Sequence, residues 1–154
     1  MKEIDLVNRI RTLTGSAFPR KQLIRGIGDD CAVFRPRAHE DLVFTTDLCL
    51  ESQHFTLKTH TAADIGHKAL ARSLSDLAAM GAEPLFCLVS LALPSFFRAQ
   101  WVRAFYRGLF TLADHSGTIV AGGDLARAAT VICDVMCCGK VPKNGALLRS
   151  GARA

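Results

Sequence analysis

Apolar positions along this chain change their spacing several times, and each change predicts a new element. Between Glu3 and Thr14, Ile4, Val7, Ile10 and Leu13 recur every three residues, predicting a helix that Gly15 stops. Cys31 to Arg35 predicts a strand ended by Pro36, and Asp41 to Leu50 a longer one. Thr61 predicts a helix N-cap with Asp64 as its capping-box partner; the helix runs to Met80 and Gly81 stops it. The apolar run Leu85 to Leu93, closed by Pro94, suits a buried strand. Ser95 can cap a second helix, in which Phe97, Trp101, Phe105 and Leu109 recur at four-residue steps until about Gly117. Thr118 to Ala121 and Ala129 to Cys138 predict two further strands around a turn, and Gly139 to Ala154 reads as irregular and more basic. The order α-β-β-α-β-α-β-β predicts an α/β chain, with a mixed β-sheet and helices packed on one face.

Composition narrows the class. A chain of 154 residues with 49% hydrophobic and 21% charged residues can bury a core and is not a disordered chain. No apolar run approaches the ~20 residues of a membrane helix, and MKEIDLVNRIRTLTG carries early acids and no apolar signal core. A cytoplasmic protein is expected. The net charge of +5 comes from scattered basic residues without aromatic interleaving, which points away from nucleic acid and fits an anionic small substrate. Six cysteines without a C-x-x-C pair sit mostly in apolar runs, which favours buried, reduced thiols over zinc.

Four acids stand out. Asp30, in GIGDDCAVF, follows glycines that permit either an Asx-type turn or close backbone approach to a ligand. Asp47 follows Thr45 and Thr46 in a strand-like run, where Asp is depleted; two hydroxyls and a carboxylate are hard oxygen ligands suited to magnesium. Asp76 lies off the stripe of Leu70, Leu74 and Leu77; it either pairs with Arg72 at i−4 or is semi-buried on an Ala-rich surface. Asp124 closes TIVAGGD, at a strand end or in a hairpin turn. Together the four point to a multi-carboxylate magnesium site that handles polyphosphate. The familiar phosphate motifs are missing: there is no G-x-x-x-x-G-K-[ST], no protein-kinase set, and Cys31 stands where a dinucleotide fingerprint needs its third glycine. His60, Asp64 and His67 straddle a helix start and are better explained by capping than by metal binding.

GIGDDCAVF, TTDLCLESQHF, HKALARSLSDLAAMGAEPL, VAGGDLAR and LLRSGAR, in this order, resemble the thiamine-monophosphate kinase family, within the aminoimidazole ribonucleotide synthetase superfamily. The resemblance covers nearly the whole chain but only the N-terminal half of the family's usual length. It implies an α/β domain whose sheet pairs with that of a second copy into a barrel-like homodimer. It also implies ATP held through several Mg²⁺ ions, and γ-phosphoryl transfer to thiamine monophosphate to give thiamine diphosphate. Carried over, Asp30, Thr45, Thr46, Asp47, Asp76 and Asp124 are the expected magnesium ligands. Gly123, Asp124, Arg149 and Tyr106 are expected at ATP, and His54 at the thiamine phosphate. Phosphoryl transfer needs positioning and charge neutralisation, so no general base is assigned. The implied division is an ATP/Mg-binding domain over 1–139, with 140–154 leading towards a C-terminal domain that is absent here; reduced activity of the chain alone is expected. Two departures from the family pattern are Leu125 and Ala126 after G-G-D, and Ser52 and Gln53 in an acid-Gly-x-His-Phe segment. The alternatives are another ATP-dependent synthetase of the superfamily and a non-catalytic dimerisation module.

Overall fold

The computed structural model describes Ile10, Thr12 and residues 23–25, 33–34, 36–96 and 99–151. Ile10 and Thr12 are helical, within the expected first helix; the rest of that helix, Asp30 and Cys31 lie outside the described residues. A strand the pattern does not predict, β1 (Leu23–Arg25), pairs antiparallel with β2 (Val33–Phe34). Three residues are too few to show an alternation of period two.

The main sheet holds β3 (Glu40–Leu50), β4 (Glu83–Leu93), β5 (Ile119–Arg127) and β6 (Ile132–Pro142), in the order β3-β6-β4-β5. β6 is antiparallel to both β3 and β4, whereas β4 and β5 are parallel. This corrects the expected turn between the last two strands. Gly122, Gly123 and Asp124 lie inside β5, and β5 and β6 are separated by β4. It also corrects the irregular reading after Gly139, since β6 continues to Pro142 and Arg149–Gly151 forms a 3₁₀ turn. A side chain on Gly123 would meet the Val89 carbonyl oxygen at 1.9 Å, so glycine is what allows β5 to continue beside β4 there.

Two helices complete the unit, α1 (Ala62–Ala79) and α2 (Ala99–Ser116). The start of α1 is as expected: Asp64 N–H donates to Thr61 Oγ1 at 3.2 Å, and Thr61 N–H donates to the Asp64 carboxylate at 2.9 Å. Thr61 Oγ1 also donates to Asp64 Oδ2 at 2.7 Å, and this bond, followed by that from the Thr61 N–H, holds the Asp64 carboxyl below its ordinary value. Gly81 follows the helix with φ +68°, the left-handed stop that glycine accepts at little cost. α1 packs on β3, β6 and β4, and α2 packs on α1 and β5, so both helices lie on the same side of the sheet.

The register sorts the strands into two faces. Under the helices run the rows Thr45–Cys137–Cys87, Asp47–Val135–Val89 and Cys49–Cys133–Leu91. The buried members of these rows join Ile65, Ala69, Leu70, Leu77, Phe105 and Leu109 in the main core. Cys49, Cys87, Cys133, Cys137 and Cys138 are all buried free thiols. Burial pushes the Cys138 thiol up to about 11, and a Cys137 hydrogen bond followed by burial raises Cys87. The opposite face carries Leu42, Leu88 and Met136 around a small second cluster, with Phe44 and Leu48 60% and 51% exposed.

α1 and α2 cross at two glycines. A Cβ on Gly66 would lie 2.0 Å from the Phe105 carbonyl oxygen, and one on Gly108 2.0 Å from that of Ala63. Backbone faces backbone, so neither clash can be relieved by a rotamer change. Gly108→Ala should lose about 1–3 kcal/mol of stability through forced separation of the helices, despite a helix-propensity gain of about 1 kcal/mol. Urea denaturation measures it, and an unchanged midpoint would contradict the crossing.

Candidate functional site

The N-terminal part of β3 and the last turns of α1 build one cleft. It measures about 860 Å³ and is lined by Val43, Phe44, Thr45, Asp76, Met80 and the 146–151 segment that includes Arg149. Three expected site residues therefore meet here: Thr45, Asp76 and Arg149. Thr45 Oγ1 donates to Asp76 Oδ2 at 2.6 Å, a short bond of the charge-assisted kind. Asp76 is exposed, which corrects the semi-buried expectation. Nor does it pair with Arg72. That guanidinium reaches across to β3, with Nη2 3.0 Å from Asp47 Oδ1. The helix and strand are thus tied twice, at Thr45–Asp76 and at Asp47–Arg72, because i, i+2 on a strand and i, i+4 on a helix present two facing pairs.

Thr46 points the other way. Its hydroxyl donates to Asp134 Oδ1 at 2.6 Å on the helix-free face. Asp134 pairs in register with Ser90, which in turn pairs with Asp124. Asp124 is exposed and not among the cleft residues. The sheet therefore divides the expected ligands: Thr45 and Asp47 face the helices, and Thr46 stands with the Asp134–Ser90–Asp124 row. Sequence reasoning missed Asp134. Its one signal was an acid inside an apolar strand, the same signal that singled out Asp47.

His54 follows β3 in a tight turn. Its Nδ1 accepts the Leu50 N–H at 2.9 Å, which leaves the proton on Nε2. Its carbonyl accepts from Lys68 Nζ. Tyr106 is buried on α2, 5.3 Å from Phe105 between ring centroids, and is not among the cleft residues.

Residues 28–141 match the model of the AIR synthase related protein, N-terminal domain. The chain belongs to that family. Its relatives include thiamine-monophosphate kinases from Bacillus subtilis, 36% identical over 99% of this chain and 46% of the relative, and from Synechococcus elongatus, 40% identical over 82% and 38%. Among solved structures, a thiamine-monophosphate kinase from Stenotrophomonas maltophilia K279a aligns with a TM-score of 0.82 at 42% identity, covering 97% of this chain and 45% of the other. AaThiL complexed with AMPPCP and TMP aligns with a TM-score of 0.71 at 28% identity, covering 98% and 45%. The chain spans less than half the length of these relatives.

Within this AIR synthase related domain, both departures from the family pattern have a structural reading. Leu125 packs against the main core, exchanging a hydroxyl for apolar contact. Ser52 adopts φ +68° in the turn before His54, where its N–H donates to the Phe55 carbonyl at 2.8 Å. That conformation costs a non-glycine residue about 1–2 kcal/mol. Ser52→Gly relieves it, against about 0.4–1 kcal/mol of added unfolded-state entropy. The variant should therefore be more stable, by on the order of 0.5–1 kcal/mol. A lower denaturation midpoint than that of the unaltered chain would contradict the strain.

Proposed function

We propose that this chain is the nucleotide- and metal-binding half of a thiamine-monophosphate kinase. The full reaction is ATP-dependent phosphorylation of thiamine monophosphate to thiamine diphosphate by direct phosphoryl transfer. The observation that carries the reading is the meeting of Thr45, Asp76 and Arg149 in one cleft, with Asp47 beside it. Two thiamine-monophosphate kinase relatives and a neighbour complexed with AMPPCP and TMP support it. The expected domain boundary at 139 falls inside β6, so on this reading the binding domain takes in the whole of β6, and the residues after Pro142 line the cleft and lead towards the half that the relatives have in addition.

The donors gathered at the cleft fit Mg²⁺: Thr45, Asp76 and the neighbouring Asp47 offer hydroxyl and carboxylate oxygens, the hard donors that ion takes. Thr46 and Asp124, on the other face of the sheet, and Asp30, outside the described residues, are the further expected ligands. Among the described residues no three acidic, His or Cys side chains close into a metal cage, and Mg²⁺ characteristically uses one or two carboxylates together with substrate phosphates. When bound, the metal neutralises the negative charge of the polyphosphate. Arg149 contacts ATP from the cleft wall, and His54 offers Nε2–H to the thiamine phosphate. Gly123 keeps the backbone open beside Asp124. Tyr106, expected at ATP, packs from α2 into the main core and stands away from the cleft. No residue is needed as a general base. Among the described residues no helix is long and apolar enough to cross a membrane. A cytoplasmic location is part of the proposed reading.

The helix-free face completes the proposal. Phe44 and Leu48 stand exposed beside Leu88 and Met136, and a second copy covers them by pairing sheet to sheet in a barrel-like homodimer. Turnover by the 154-residue chain alone is poor on this reading.

Calorimetric titration with AMPPCP tests the site. Binding is expected with Mg²⁺ and lost without it, and Asp76→Asn or Asp47→Asn should weaken it at least tenfold, as removal of a metal ligand does. Metal-independent binding, or none by a folded chain, would contradict the reading. Phe44→Arg should convert the dimer to monomer in analytical ultracentrifugation, and an unaltered chain that sediments as a monomer would remove the dimer from the proposal.

A further inference from the structure

Of the two carboxylates that tie β3 to α1, only Asp47 is held by a cation. Asp76 accepts a hydrogen bond from a neutral hydroxyl, while Asp47 accepts one from Arg72 at 3.0 Å. A carboxylate expected to receive a divalent cation is therefore already paired with a cation of the protein itself.

The contact is built to be exchanged. Arg72 spends one Nη2 donor on Asp47 Oδ1, and its Nε–H is buried without a hydrogen-bond partner among the described residues. An orphaned buried donor costs about 1–3 kcal/mol, so this guanidinium is not seated in its best environment. The two side chains are 35% and 23% exposed. Water reaches the pair, and ion pairs of this kind contribute little. A divalent ion gathering several oxygens outcompetes a guanidinium that uses one of its five donors.

We propose that Arg72 is a built-in counter-cation of the Asp47 carboxylate, holding it while no metal is bound and yielding it when a divalent cation enters. The proposal rests on the reading of Asp47 as a metal ligand given above. Arg72 is then a positioning residue that sets the Mg²⁺ concentration at which the nucleotide site assembles. It keeps the carboxylate oriented and the metal-free site from self-repulsion, at the cost of a higher metal requirement.

The test is a Mg²⁺ titration of the 154-residue chain in the presence of AMPPCP, read as nucleotide binding and as thermal stability. Arg72→Met preserves length and removes the charge; its half-saturating Mg²⁺ concentration should fall roughly tenfold, the scale expected when a single positive charge beside a divalent ion is removed near a surface. Arg72→Lys keeps the charge and should keep the higher requirement. The metal-free Arg72→Met chain should melt below the unaltered one, with the difference narrowing as Mg²⁺ is added. An unchanged or raised Mg²⁺ midpoint in Arg72→Met would overturn the proposal. Should that variant fail to fold, Arg72→Gln carries the same expectation. Failure of the metal-ligand reading looks different: the unaltered chain would then show no Mg²⁺ dependence, and Asp47→Asn would leave nucleotide binding unchanged.

Discussion

The seating of α1 on the sheet is the constraint on which the rest of this structure depends. Ser73 Oγ donates to the Val135 carbonyl at 2.7 Å in a fully buried contact. A buried hydroxyl must find an acceptor, and this one finds it in the backbone of the central strand β6. That bond sets where α1 sits along β6. Once it is set, the next exposed positions of the helix, Arg72 and Asp76, can only face Asp47 and Thr45. The geometry of the cleft follows from a core contact and not from the cleft residues themselves.

The same seating explains why the second helix needs glycine. α2 packs on α1 with Gly66 and Gly108 at the crossing, where any side chain would strike backbone. The close approach lets Val102, Phe105 and Leu109 reach the core beneath. The main core lies on the helix side, and the buried thiols of β3, β4 and β6 act as small core residues. The raised pKa values of Cys49, Cys87, Cys133 and Cys138 keep those thiols protonated and unreactive. Among the described residues the sheet's other face is covered only in part, where Phe34 of β2 packs on Phe86, and Phe44 and Leu48 remain exposed.

Local energetic cost gathers at two positions beside residues expected to bind ligands. Ser52 holds a left-handed conformation that brings His54 back to Leu50, and the strain is carried by the turn. Arg72 carries a second cost, an unsatisfied Nε–H beside a neutralised carboxylate. Both sit next to expected ligands, where local cost is commonly tolerated.

Much of the architecture was legible in the residue pattern. The capping box at Thr61, the stop at Gly81 and the long strands through Asp47 and Leu91 depend on neighbours within a few positions, and local physics decides them. The acids were legible as exceptions, because a carboxylate in a strand or beside glycine violates a local preference. What the sequence determined, then, was the main elements, the short β1 apart, and the domain family. The tertiary structure alone decided that β6 inserts between β3 and β4, that Gly-Gly-Asp continues a strand instead of turning, and that Arg72 belongs to Asp47 and not to Asp76. It also decided that Asp134 joins Thr46, 88 residues away. These are pairings between distant segments, fixed by which faces can be buried together, and no spacing along the chain encodes them.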